Sequence, residues 1–160
     1  MENFALGEID IFMRLAVALV CGIAVGTERL YAHKTAGMRT YSLVSMGAAL
    51  FIIISETIIG KYGQFFDGDY LRVASQVVAG IGFLGAGLIL VKGDHVVGVT
   101  TASSIWVAAA IGVASGFGLF YLAFLGTILT LFIFIALWFL EEIVRRSKRY
   151  KKKEKIDNQE

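Results

Sequence analysis

From residue 40 to residue 60 the chain carries a single charged side chain, Glu56, in a predominantly apolar run. A hydrocarbon core about 30 Å thick takes about 20 such residues to cross as an α-helix. No water inside a bilayer can satisfy an open backbone, so a run of this kind reads as a spanning helix. Four more runs share the pattern. Residues 9–27 hold Asp10 and Arg14 in their opening turns, and residues 73–91 are dense in glycine. Residues 99–115 are dotted with hydroxyls and alanine, and residues 119–140 are strongly apolar. Between the last two, residues 116–118 predict a tight glycine hairpin rather than one very long helix. The fold class expected is all-α, a polytopic membrane helix bundle of about five transmembrane helices. Composition agrees: 57% of residues are apolar, 18% are charged and the mean hydropathy is +0.72, outside the soluble range.

Orientation follows from Lys and Arg, which accumulate on cytoplasmic flanks. Arg29, Lys34 and Arg39 follow the first run, Lys92 follows the third, and residues 145–155 hold eight more basic residues. With five spans these segments share one side. The expectation is an N-terminus outside and a basic tail, residues 143–160, in the cytoplasm against anionic lipid. Lys61, Asp67, Asp69 and Arg72 fall on the opposite side. Tyr62, Phe65, Phe66 and Tyr70 would anchor the outer interface, and Tyr31, Tyr41 and Trp138 the inner one. Residues 157–160 are expected to be disordered. Met1, Glu2 and Asn3 lack the basic start of a cleaved signal, so the first helix is expected to be retained. The single Cys21 can form no internal disulfide and is expected to pack as a small buried residue.

Several residues in or beside the runs could carry function. Asp10 and Arg14 are helical neighbours that can neutralise each other, and ionisable groups within a span usually serve a function. The alternative places Asp10 at the outer interface with Arg14 snorkelling toward it. Ala18, Gly22 and Gly26 form a ladder of small residues that lets another backbone approach, and Ala108, Gly112 and Gly116 form a second. Glu28, Arg29, Lys34 and Arg39 place an acid and three bases beside two helix ends, suited to structural ion pairing or to an anion site. Gly80, Gly82, Gly85 and Gly87 read either as close-packing faces or as a bent segment lining a cavity, with Gln76 as a polar gate. Thr100 and Thr101 can cap the fourth helix and bond to neighbours. Trp106 lies deeper than a belt aromatic and is expected to give its N–H a buried partner.

Three stretches together resemble the MgtC/SapB family. They are Gly26-x-Glu28-Arg29 with Lys34-x-Ala36-Gly37-x-Arg39-Thr40, then Gln76-Val77-Val78-x-Gly80-Ile81-Gly82-Phe83-Leu84-Gly85-Ala86-Gly87, then Gly98-x-Thr100-Thr101-Ala102-Ser103-x-x-Trp106. The resemblance covers residues 10–140 and is most specific in its middle stretch. It implies a bacterial inner-membrane protein of magnesium homeostasis, with residues 1–142 as the transmembrane domain. Longer members carry a soluble C-terminal domain; here a basic tail is expected in its place, so the short SapB-like form is the closer resemblance.

Two functions follow from that resemblance: Mg²⁺ transport, or regulation by binding another membrane complex such as the ATP synthase. Mg²⁺ favours one or two carboxylates with retained waters. Glu28 and Asp10 are the metal-ligand candidates, and both fall near a membrane boundary. No Ser/His pair, histidine cluster or paired acids occur within a run, so no enzyme is expected. No cofactor is expected either, Mg²⁺ entering only as substrate or signal. The partners expected are the lipid bilayer, a second copy of the chain and another membrane protein, with no nucleic acid.

Overall fold

The computed structural model describes residues 6–62 and 69–157. Phe65, Phe66 and Asp67 of the expected outer loop, residues 1–3 and residues 158–160 lie outside the described residues. Among the described residues there are five helices: α1 (Glu8–Tyr31), α2 (Met38–Tyr62), α3 (Tyr70–Leu88), α4 (Val99–Gly116) and α5 (Phe120–Asp157). A small antiparallel hairpin, β1 (Leu90–Lys92) and β2 (His95–Val97), joins α3 to α4. All five helices contain a stretch long and apolar enough to cross a membrane.

Local chemistry sets the helix ends. Glu8 and Asp10 occupy the first turn of α1, where the helix dipole favours negative charge. That helix closes in a Schellman motif: His33 adopts φ +54°, Lys34 N donates to Arg29 O at 3.0 Å, and His33 N donates to Leu30 O at 3.1 Å. The hairpin after α4 repeats the device with a glycine. Gly118 takes φ +72°, while Leu119 N and Gly118 N donate to Ala114 O and Ser115 O, both at 2.9 Å. Asp69 caps α3 by accepting a hydrogen bond from Leu71 N at 2.8 Å.

One boundary differs from the sequence expectation. The third span stops at Leu88 rather than Val91, because residues 90–97 fold into the hairpin. Its β-branched valines suit a strand, and Gly93 supplies φ +58° at the first turn position. Past its apolar stretch, α5 runs unbroken to Asp157. Lys, Arg and Glu are good helix formers, and Glu142 pairs with Arg146 one turn on at 3.1 Å.

Lipid tails are as apolar as leucine, so packing between spans depends on shape. α2 sits between the two small-residue ladders. A Cβ added to Gly22 or Gly26 of α1 would fall 2.7 Å from Ser42 Cα or 2.5 Å from Met38 Cα. From the other side, a Cβ on Gly112 of α4 would fall 2.0 Å from Ser45 O, and one on Gly116 2.8 Å from Ala49 O. Backbones meet directly on both faces of α2. Tyr41, Ser45, Ala49 and Ile52 are consequently buried, as are Cys21 and Val25 of α1. α3 is peripheral and touches α4 where Gly85 meets Ala102, at 3.7 Å for an added Cβ.

Candidate functional site

Two polar clusters occupy opposite ends of the bundle. At the end where α1 begins, Arg14 is the hub. It is 9% exposed, on the face of α1 turned toward α2 and the α4–α5 turn. One terminal nitrogen donates to Glu56 Oε2 at 2.5 Å and to Gly116 O at 2.8 Å. The other pairs with Asp10 Oδ2 at 2.8 Å. Gly118 lies against the guanidinium, with an added Cβ 3.4 Å from it. The carbonyl of Gly116 belongs to the last turn of α4, where helical carbonyls need outside donors, so Arg14 also caps that helix. Its Nε has no partner among the described residues. One cation thus holds two carboxylates and ties α1, α2 and the α4–α5 hairpin.

At the opposite end, Glu28 and Arg29 of α1 form a bidentate pair, and the Arg29 Cζ stacks 3.6 Å from the centroid of Phe134 on α5. A desolvated cation–π contact of this kind is worth about 2 kcal/mol. Nearby, the Tyr41 hydroxyl and Ser104 Oγ share a hydrogen bond of 2.5 Å between α2 and α4, and Ser104 Oγ also donates to Thr101 O at 2.9 Å.

The sequence candidates are distributed unevenly over this geometry. Asp10 and Arg14 do meet, while Glu28 meets Arg29. Arg39 and Gln76 are exposed on α2 and α3, and Gln76 lines an apolar groove of about 570 Å³ between those helices. Gly80 lines the same groove, whereas an added Cβ on Gly80, Gly82 or Gly87 meets nothing within 4 Å. Gly82 therefore takes no part in close packing, and Gly85, Gly22, Gly26 and Gly112 do. Trp106 is 50% exposed on the outer face of α4 rather than buried, because the ladder of Gly112 turns the opposite face of that helix inward. Thr100 is exposed and Thr101 buried, yet Gly98 at the N-cap leaves the start of α4 without a side-chain cap. The interhelical hydroxyl bond comes from Ser104 instead.

Glu56, Phe134 and the Tyr41–Ser104 pair were not among the candidates. Glu56 had a signal: one acid in an otherwise apolar span requires a counter-charge, and Arg14 is the cation within a neighbouring span. A cavity of about 870 Å³ opens at the Arg29 end, lined by residues of α1, the α1–α2 loop, the end of α3, the hairpin, α4 and α5 that include Arg29, Lys34, Gly87, Thr100 and Thr101. Among the described residues no group of three or more His, Cys, Asp or Glu side chains could hold a metal ion.

Five apolar helices closed around paired charges define a multi-pass membrane protein. The chain belongs to the MgtC family, whose sequence pattern matches residues 15–143. It is 45% identical over 132 residues to an Escherichia coli (strain K12) protein named "Putative magnesium transporter YhiD", covering 78% of this chain and 59% of that one. It is 44% identical over 114 residues to protein MgtC of Brucella abortus, covering 71% of this chain and 45% of the relative. Protein SrpB of Synechococcus elongatus is 40% identical over 126 residues, covering 74% and 69%. The chain therefore spans 59% of the length of its Escherichia coli relative and less of the Brucella one. No solved structure matches it.

Proposed function

We propose that this chain serves magnesium homeostasis in the bacterial inner membrane by binding and modulating another membrane protein, rather than by passing the ion through its own helices. The magnesium part rests on family membership and on the name of the Escherichia coli relative. The mode of action rests on one observation: the carboxylates nearest the bundle interior already hold an arginine. Asp10 and Glu56 engage Arg14, and Glu28 engages Arg29. A Mg²⁺ site uses carboxylates free to keep waters around the ion. Here a fixed guanidinium supplies the positive charge. The ladders seal α1, α2 and α4 backbone to backbone, which supports a rigid body that presents surfaces. The ATP synthase is the kind of complex such a body could engage.

Purified chain in liposomes containing a Mg²⁺-sensitive dye should show no uptake above empty liposomes, while gentle solubilisation of native membranes should recover a stoichiometric partner. Protein-dependent Mg²⁺ uptake would replace this reading with transport, the function in the relative's name.

The same proposal places the start of α1 outside and the β1–β2 hairpin in the cytoplasm, because Arg29, Lys34, Arg39, Lys92 and the charged end of α5 share one end of the bundle. In a Cys21→Ala background, E8C should react with an impermeant thiol reagent in intact spheroplasts, and D94C only after permeabilisation. The opposite labelling pattern would invert the orientation.

A further inference from the structure

The cavity of about 870 Å³ at the Arg29 end has two chemically distinct walls. One is basic: Arg29 comes from the end of α1, His33 and Lys34 from the loop that follows it, and Lys92 from the hairpin. The other is apolar, formed by Ile133, Leu137 and Trp138 of α5. Among the described residues one carboxylate, Glu141, belongs to the lining. Arg29 is matched by Glu28, but Lys34 and Lys92 form no ion pair among the described residues. The lining also includes Val99, Thr100 and Thr101, the first turn of α4, whose N-cap Gly98 contributes no side-chain acceptor. The dipole at that end adds to the positive field.

We propose that this cavity binds a phosphate group, and that its apolar wall selects one carried on an acyl chain, as in an anionic phospholipid. Lys34 and Lys92 meet the phosphate from two separate elements, and Leu137 and Trp138 run from the headgroup level toward the hydrocarbon. The position suits this, since the ends of α1 and α3 and the start of α4 lie at a membrane boundary. A lipid held here bridges the α1–α2 loop, the hairpin and α5.

The test uses Trp138, which becomes the lone tryptophan once Trp106 is replaced by Phe. The full chain is reconstituted in phosphatidylcholine vesicles doped with brominated phosphatidylglycerol or with brominated phosphatidylcholine. Trp138 emission should be quenched preferentially by the anionic lipid. The preference should weaken by about 30-fold in a K34Q/K92Q variant, from two basic residues near a headgroup. A tail variant, K151Q/K152Q/K153Q, should retain it. Inorganic phosphate is the second probe: a response of Trp138 to it, lost in K34Q/K92Q, would assign the phosphate to a soluble source. Equal quenching by both lipids without a phosphate response overturns the proposal. A preference abolished by the tail variant and kept by the cavity variant does so too.

Discussion

Arg14→Met should be the most damaging single removal of a charge in this chain, lowering stability by about 3–5 kcal/mol, the usual result of orphaning a buried ion-pair partner. Glu56 would remain largely enclosed, 13% exposed at its side chain, with its cation gone. Gly116 O would lose its donor at the same time. Asp10 is more open, at 41%, and can recover water. Most of the loss should therefore trace to Glu56, and R14M/E56Q should regain much of it, since a neutral pair avoids the orphaned charge. Heating the detergent-solubilised proteins and measuring the monodisperse fraction by size-exclusion chromatography checks this. Equal stability of wild type and R14M would mean that Arg14 reaches water and that its contacts with Glu56 and Gly116 contribute nothing.

Gly112→Val should be comparably severe, for a reason that has nothing to do with charge. The added Cβ alone would fall 2.0 Å from Ser45 O and 2.8 Å from Ser45 C, both backbone atoms of α2. No rotamer relieves that contact, so α4 must withdraw from α2 along the whole ladder. Overpacking of this kind costs about 1–3 kcal/mol or more. Gly82→Ala supplies the contrast. Its new Cβ meets nothing within 4 Å, and alanine is favoured over glycine in a helix by about 0.5–1 kcal/mol, so stability should hold or rise. Thermal stability of the two variants against wild type separates the cases. If Gly112→Val folded as stably as the parent, the backbone contact between α2 and α4 would be wrong. A damaging Gly82→Ala would show that the outer face of α3 packs against something in the membrane.

These two sites mark how far the sequence is readable. The spans and the turn at Gly118 are legible because hydropathy and glycine punctuation act locally. The ladders of Gly22, Gly26 and Gly112 are legible as contact surfaces, since spacing by four keeps small residues on one helical stripe. What they touch is not. The need of Glu56 for a counter-charge is visible, but its meeting with Arg14, 42 residues away, exists only because α2 runs antiparallel beside α1. For the glycines of α3 the limit is different. Their density is visible, but which of them face a neighbour depends on the rotation of a peripheral helix, and only Gly85 meets Ala102. Glu28 could have chosen Arg29 or Arg39, and the shared helix of Glu28 and Arg29 decided it.

The length of α5 has an arithmetic consequence. Its apolar stretch, Phe120–Val144, uses up the hydrocarbon, and the helix then continues to Asp157. At about 1.5 Å per residue that continuation climbs roughly 20 Å along its own axis. The reach of a membrane's surface charge in physiological salt is only about 8 Å. The helix axis at positions 145 to 149 lies within that distance of the apolar stretch. The helix axis at positions 151 to 155 lies beyond that distance from the apolar stretch. One continuous rod thus acts as an axial ruler, dividing the basic residues into a lower set governed by the bilayer and an upper set governed by whatever approaches from the water.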